Sequence, residues 1–281
     1  MRVLIAGCGY VGEALGRELV AAGDEVFALR RRAERVPAEL RPLAADLTDA
    51  AALEVLPDAL DRVFYTASAG GGGEDAYRGA YVSGVTCLRE RLARQAEAPC
   101  FVFASSTAVY AQDDGAWVDE ASPTEPVSFR GRILLEGEAQ ARQREGDVVV
   151  RFGGIYGPGR SGLVERVRRG EARVATGGPR YTNRIHRDDA AGVLRFVASL
   201  PRPAAVYAGV DDAPATEREV LEWLAAQLGA PTPGEAPPEP GSRRAGTHRR
   251  VSNRRLREAG YRFRYPSFRD GYAALLAEGG P

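Results

Sequence analysis

Met1–Arg30 reads MRVLIAGCGYVGEALGRELVAAGDEVFALR. Arg2–Ala6 is a short apolar run, partly β-branched, and predicts a buried strand. Gly7-Cys8-Gly9-Tyr10-Val11-Gly12 follows at once. Val11, Ala14, Leu15, Glu18, Leu19 and Ala22 then recur at helical spacing, with Gly23 as the expected C-cap. Glu25–Leu29 reads as a second strand. Strand, Gly-x-Gly-x-x-Gly, helix, strand is a dinucleotide-binding βαβ unit. Gly7 permits the tight turn, Gly9 lets backbone approach a pyrophosphate, and Gly12 lets helix and strand close up. Tyr10 and Val11 open the helix, whose free N–H groups would hold the phosphates.

The end of the second strand bears on which dinucleotide is bound. An NAD-selecting unit places Asp or Glu there, on the adenosine ribose. This chain has Arg30, then Arg31 and Arg32. A carboxylate repels a 2′-phosphate, whereas guanidinium groups pair with one. NADP(H) is therefore expected over NAD(H).

Arg41–Ala45 predicts a third strand, ending at Asp46-Leu47 where an adenine would lie, and Asp49 is expected to cap a helix after it. Asp61–Thr66 reads as a fourth strand, leading to Ala67, Ser68 and the glycines 70–73. That glycine run is either a mobile loop over the cofactor or low-complexity filler. A long helix is expected over 74–97, arginine-rich on one side. Cys100–Ala104 predicts a fifth strand that runs into Ser105, Ser106, Thr107 and Tyr110. Ligands of open parallel sheets bind beyond the carboxyl ends of the strands, so these hydroxyls belong to the site. Trp117–Val127 reads as a loop, 128–144 as a helix, Asp147–Phe152 as a sixth strand and 153–159 as a glycine-rich loop. Arg180–Asp189 opens a helix that runs through Leu200, with Asp188 or Asp189 near its N-terminus, and a strand over Ala205–Val210 and a helix over Glu217–Leu228 follow. Residues 230–246 read as an exposed connection, before a basic helix over Asn253–Ala259 and an aromatic segment, Tyr261–Phe268.

The fold class expected is α/β, a Rossmann-type doubly wound parallel sheet with a smaller C-terminal substrate lobe. Residues 1–152 form the NAD(P)-binding core. Residues 153–281 form a mixed region that returns partly to the core at about 185–210 and builds the lobe.

The totals exclude several function classes. Formal net charge is zero, which points to no nucleic-acid or membrane partner. Cys8, Cys87 and Cys100 have no metal-ligand spacing, so no metal is expected. Their small, odd number fits packing in a reducing, cytoplasmic compartment. A monomer or homodimer acting on a small molecule is expected. All 38 basic residues are arginine, and that forbids any mechanism needing a lysine.

Taken in order, AGCGYVG, AADLTD, FASSTAVY, RFGGIYGPG, IHRDDAAG and VSNRRLREAGY make the chain similar to the extended short-chain dehydrogenase/reductases. These are the NAD(P)-dependent epimerase/dehydratase-like group. The resemblance implies a Rossmann core, a substrate lobe and a small-molecule substrate such as a nucleotide sugar, for whose diphosphate Arg151, Arg180, Arg243 and Arg249 are candidates. It also implies a Ser or Thr joined to a Tyr-x-x-x-Lys pair, with the tyrosine as acid/base and the lysine on the nicotinamide ribose.

Ser106, four residues before Tyr110, falls at the family's serine. The family's lysine is usually followed four residues on by Glu; counting from Glu136 puts Arg132 at the lysine and Ser128 at the tyrosine. Sliding the frame by one brings Phe129 to the tyrosine. Serine is a poor proton donor beside a phenol of pKa about 10. Arginine can still hydrogen-bond ribose hydroxyls. The chain thus resembles an atypical subgroup without the tyrosine–lysine pair. Tyr110 and His186 are the substitute acid/base candidates. The expected function is an NADP(H)-dependent oxidoreductase or epimerase/dehydratase-type enzyme with a non-standard acid/base. A non-catalytic NADP(H)-binding redox sensor is the alternative.

Overall fold

The apolar runs assemble into one seven-stranded sheet. In the computed structural model the described residues are 1–70, 72–237, 248–277 and 279. Gly71, Arg243 and residues 238–246 of the expected connection lie outside them. Strands β1 (Arg2–Ala6), β2 (Glu25–Arg30), β3 (Arg41–Ala44), β4 (Arg62–Tyr65) and β5 (Cys100–Ser106) are joined by Val148–Phe152 and Val206–Gly209. Their spatial order is Val206–Gly209, Val148–Phe152, β5, β4, β1, β2, β3, all parallel. Ile5 pairs with Ala28 of β2 on one side and Phe64 of β4 on the other. Central strands are covered on both faces, which is why they read as continuous apolar runs. Val3, Leu4, Ile5 and Ala6 have no exposure at all.

Two compact units are formed. The first takes in Met1–Val109, Glu125–Arg151 and Ala190–Tyr207, and the second Tyr110–Thr124, Phe152–Asp189 and Ala208–Pro281. The core of the first contains Leu4, Leu29, Leu53, Tyr65, Leu88, Phe101 and Phe103. Full burial of one such side chain contributes about 1.5–3 kcal/mol. The second has its own cluster, including Tyr156, Val164, Val220, Leu224, Phe268 and Tyr272. Short pairs of strands accompany it: Gly154–Tyr156 with Arg184–His186, and Trp117–Val118 with Arg250–Val251.

Several local expectations change. Helix α1 spans Tyr10–Ala21 with Ala22 as C-cap, and Gly23 follows it at φ +87°, one place later than expected. Asp49 does accept from the N–H groups of Ala51 and Ala52, but the turn it caps is a 3₁₀ segment, Ala52–Val55, rather than an α-helix. The helix expected over 74–97 ends at Leu92 and contains a π-helical stretch, Gly79–Ser83. There the buried Tyr65 hydroxyl donates to the Ala80 carbonyl at 2.5 Å, drawing it toward the sheet. Arg89 and Arg91 on this helix are buried, Arg89 pairing with Asp147 and Arg91 donating to the Leu56 carbonyl at 2.8 Å. Arginine there is structural as well as solvated.

Other bounds shift too. Trp117–Val127 is a loop except for the two-residue strand at its start. The helix expected over 128–144 spans Phe129–Ala141. The helix ending near Leu200 begins only at Arg187, because Tyr181–Thr182 and Arg184–His186 are extended. Glu217–Leu228 is a helix as read, held by a Thr216–Glu219 capping box. Gly234–Ala236 adds a strand inside the expected connection, and the basic helix is shorter, Arg254–Glu258. Phe268–Ala277, absent from the sequence reading, is a helix.

Candidate functional site

The loop between β1 and α1 is shaped as a dinucleotide cradle. Gly7 has φ +88°, and a Cβ there would meet the Ala67 Cα at 2.3 Å. Gly12 is equally tight, its Cβ meeting Ile5 Cγ2 and Thr66 Oγ1 at 2.9 Å. Both glycines are demanded by the protein itself. Gly9 is different: a Cβ there would meet only the Gly7 carbonyl oxygen, at 3.9 Å, and φ is −116°. Gly9 is also the N-cap of α1 and offers no side-chain cap to the helix N–H groups. An open cradle at a helix start, left uncapped, fits a pyrophosphate that would take those N–H groups.

Around the cradle, Thr66 Oγ1 donates to the Gly7 carbonyl at 3.0 Å, anchoring the turn to the end of β4 beside Ala67 and Ser68. Arg30 ends β2, half-buried, and donates to Glu13 Oε1 at 3.0 Å and to the Arg35 carbonyl at 3.1 Å. Arg31 and Arg32 are exposed. Asp46 accepts from the Thr48 N–H at 2.9 Å and from its hydroxyl at 2.7 Å. Those bonds, with the nearby charge of Arg31, hold its carboxyl below the ordinary range. Leu47 packs partly buried against the first core.

At the carboxyl end of β5 the two serines part company. Ser105 is buried and donates to Glu138 Oε1 at 2.6 Å. Glu138 in turn receives Arg151 Nη2 at 2.7 Å. Arg151, a candidate for a substrate diphosphate, is thus a buried core cation. Ser106 Oγ accepts from the Ala108 N–H at 3.2 Å and remains half-buried.

The helix Phe129–Ala141 carries the positions matched to the missing pair. Ser128 is its N-cap, exposed, and its hydroxyl accepts from the Gly131 N–H at 3.2 Å. Arg132 is exposed and turns back to the Val127 carbonyl at 2.5 Å. Arg130 is half-buried instead. Its guanidinium carbon lies 4.9 Å from the Phe129 ring centre and 5.8 Å from that of Tyr77. Its Nε is buried and makes no hydrogen bond with any described residue. Glu136, on which the matching was counted, is exposed and pairs with Arg78 at 2.7 Å. Glu138, two residues on, is buried instead.

The remaining candidates belong to the second unit. Tyr110 is 2% exposed. His186 is buried, 5.4 Å from the Tyr156 ring and 4.0 Å from the Tyr265 ring, and its Nδ1 accepts from the Asp188 N–H at 3.2 Å. Burial lowers its pKa to about 4, so it is a neutral core imidazole at neutral pH. Arg249 is buried and donates to the Gln112 carbonyl at 2.6 Å, while Arg180 is half-buried. Asp211, which the sequence reading passed over, is 2% exposed, and burial pushes its carboxyl up to about 8.

Among the described residues no group of His, Cys, Asp and Glu could hold a metal ion, and no helix is long and apolar enough to cross a membrane. A 3-diazoavenalumate denitrifying reductase from a Streptomyces species is 31% identical, over 96% of this chain and 99% of that protein. A dTDP-6-deoxy-L-talose 4-dehydrogenase (NAD(P)(+)) from Kitasatospora kifunensis is 31% identical over 82% and 79%. A solved structure from Methylobacillus flagellatus, described as an NAD-dependent epimerase/dehydratase, superposes with a TM-score of 0.79 at 35% identity, over 99% and 98% of the two chains. The sequence profile of the NAD dependent epimerase/dehydratase family matches residues 3–201, and the chain belongs to that family.

Proposed function

We propose that the protein is an NADP(H)-dependent reductase that works without the tyrosine–lysine pair of its relatives. The open cradle at Gly9 carries the reading, because nothing in the protein itself requires glycine there. Arg30 and Arg31, at the end of β2 where a carboxylate would select NAD, support the 2′-phosphate form.

Bound NADPH supplies a hydride. The chain's residues hold it: the α1 N-terminus and Gly9 on the pyrophosphate, Arg30 and Arg31 on the 2′-phosphate. Neither residue first matched to the pair replaces the lost acid. The Ser128 hydroxyl is occupied as a helix cap and Arg132 is bonded to its own loop. The fitting hydride acceptor is therefore one that needs no proton from a side chain. An aryl diazonium ion is of that kind, because hydride forms the new C–H bond while dinitrogen leaves with the C–N electron pair, and the name of the Streptomyces relative supports a diazo-type acceptor. A dehydrogenase or epimerase acting on a nucleotide sugar, as the Kitasatospora relative's name suggests, calls for a proton carrier.

Calorimetry with NADP⁺ and NAD⁺, then NADPH consumption against aryl diazonium salts, aldehydes, ketones and nucleotide sugars, tests the reading. The expected result is NADP⁺ bound at least about tenfold tighter, ~1.4 kcal/mol, with turnover confined to acceptors needing no side-chain proton. Tight NADP⁺ binding with no consumption of NADPH on any acceptor favours the redox-sensor reading instead.

A further inference from the structure

The helix after β5 brings a guanidinium and three aromatic rings to one place. Tyr77 and Tyr81 lie on the helical segments that follow β4, their ring centres 5.3 Å apart. Phe129 meets Tyr77 edge-on at 5.6 Å. Arg130 adds its cation over both Phe129 and Tyr77. All four side chains are half-buried, so each keeps a face toward solvent. The first turn of the helix Phe129–Ala141 lies beside the carboxyl end of β5, since Gly131 packs against the Ala108 carbonyl just beyond that strand, and open α/β folds take their ligands at that edge.

Arg130 is set apart from Arg132, the other arginine of this helix. Arg132 is satisfied by the Val127 carbonyl and points outward. The Arg130 Nε is buried with no hydrogen-bond partner among the described residues, and leaving such a group unpaired is costly. The helix frame agrees. Residues 130, 134 and 138 follow one another at i, i+4 spacing on one face, and Leu134 and Glu138 are both buried. Counting from the buried Glu138 rather than the exposed Glu136 puts Arg130 where the family has its tyrosine and Leu134 where it has its lysine. Gly131 is pinned in this frame, since a Cβ there would meet the Ala108 carbonyl oxygen at 2.6 Å.

We propose that Arg130 binds the substrate, and that the group it grips is the planar carboxylate of an aromatic or conjugated acid. A guanidinium matches a carboxylate with two parallel hydrogen bonds. The rings of Tyr77, Tyr81 and Phe129 supply the apolar wall such an acid needs. The arginine orients this substrate and holds its charge without donating a proton to it. A diphosphate is the competing anion, but two aromatic rings against a single cation, with the Tyr81 ring beside one of them, suit a flat organic acid better than two phosphoryl groups. This rests on the reading above, that a dinucleotide occupies the Gly9 cradle.

Benzoate is the probe, titrated by calorimetry into the protein with and without saturating NADP⁺, with UDP-glucose as a second arm. Wild type and Arg132→Ala should bind benzoate alike, and Arg130→Leu at least about tenfold more weakly. Arg130→Lys, which keeps the charge but not the fork, should fall between. NADP⁺ affinity and the circular dichroism spectrum should be unchanged in Arg130→Leu, which shows that the variant is folded and its cradle intact. Benzoate binding that is absent in wild type, indifferent to Arg130→Leu, or lost instead in Arg132→Ala overturns the proposal. So does UDP-glucose, rather than benzoate, depending on Arg130. Failure of wild type to bind NADP⁺ at all sinks the cradle reading by itself, and is seen in a separate titration.

Discussion

Glu138 and Arg151 form a buried ion pair, Nη2 to Oε2 at 2.7 Å, and the Ser105 hydroxyl closes it with a 2.6 Å bond to Oε1. The pair ties the helix Phe129–Ala141 to the strand Val148–Phe152, and the serine adds β5. It therefore sets where the first turn of that helix, with Arg130, lies against the carboxyl edge of the sheet. Removing one member leaves the other as an uncompensated charge with almost no solvent contact. Arg151→Met or Glu138→Leu alone should each cost about 3–5 kcal/mol. The double variant, having no stranded charge, should recover much of it. Urea unfolding of the three variants checks this, and single losses under about 1 kcal/mol would show that water reaches the pair.

Gly9 and Gly7 should respond in opposite ways to alanine. Gly9→Ala has room for its methyl group, so melting without cofactor should barely change while dinucleotide binding is lost. Gly7→Ala has both a positive φ and backbone at 2.3 Å, and should destabilise the fold outright. Thermal melts paired with NADP⁺ titration separate the two. Full binding by Gly9→Ala would mean the loop is shaped for the protein alone.

Arg30 is shared between Glu13 and the Arg35 carbonyl. A 2′-phosphate would compete with the Glu13 carboxylate for that guanidinium and be repelled by it. Glu13→Gln should then strengthen NADP⁺ binding, by about 0.3–1 kcal/mol for a partly exposed charge, with little change for NAD⁺. Arg30→Asp should erase or reverse the preference. An equal gain for both cofactors in Glu13→Gln would mean that the carboxylate acts on the pyrophosphate instead.

Ser128 is a helix cap before it is anything else. Ser128→Ala should cost about 0.5–2 kcal/mol, leaving NADP⁺ affinity and NADPH turnover unchanged, whereas Ser128→Asp should restore the stability. Loss of turnover in Ser128→Ala at full folding would restore the hydroxyl to the chemistry.

Asp211 makes stability depend on pH in a stated direction. Burial raises its carboxyl to about 8, against an unfolded value near 4. Between those values the folded protein holds a proton that the unfolded chain has released, so this contribution to stability falls as pH rises. His186 works the other way: lowered to about 4, it makes stability rise between there and its unfolded value near 6.5. Above that value Asp211 acts without this opposition. Asp211→Asn should melt higher than wild type at pH 8, with the gap narrowing as pH falls and closing only below about pH 4, where the carboxyl is protonated in both the folded and the unfolded chain. A gap independent of pH would show that the effect is packing.

The glycine loop, the alternating strands and helices of the first unit and the helix Glu217–Leu228 were all legible in the residue order. Each depends on local geometry: a turn needing positive φ, an apolar run between turns, a capping box at Thr216 and Glu219. Family membership followed from the same stretches. What the sequence left open was which of several identical residue types does what. Glu136 and Glu138 stand two apart on one helix, yet one is exposed on Arg78 and the other buried under Ser105 and Arg151. Two positions on a helix differ by about 200° in direction, so only the packing of that helix against the sheet decides which face is inward. The same packing turns Arg132 to solvent and Arg130 toward the aromatic rings, and elsewhere in the fold Arg89, Arg91, Arg151 and Arg249 are each buried on partners of their own. In a chain whose every basic residue is arginine, composition could not tell a core cation from a binding one. Tertiary structure did, because only there does each guanidinium meet, or fail to meet, its acceptor.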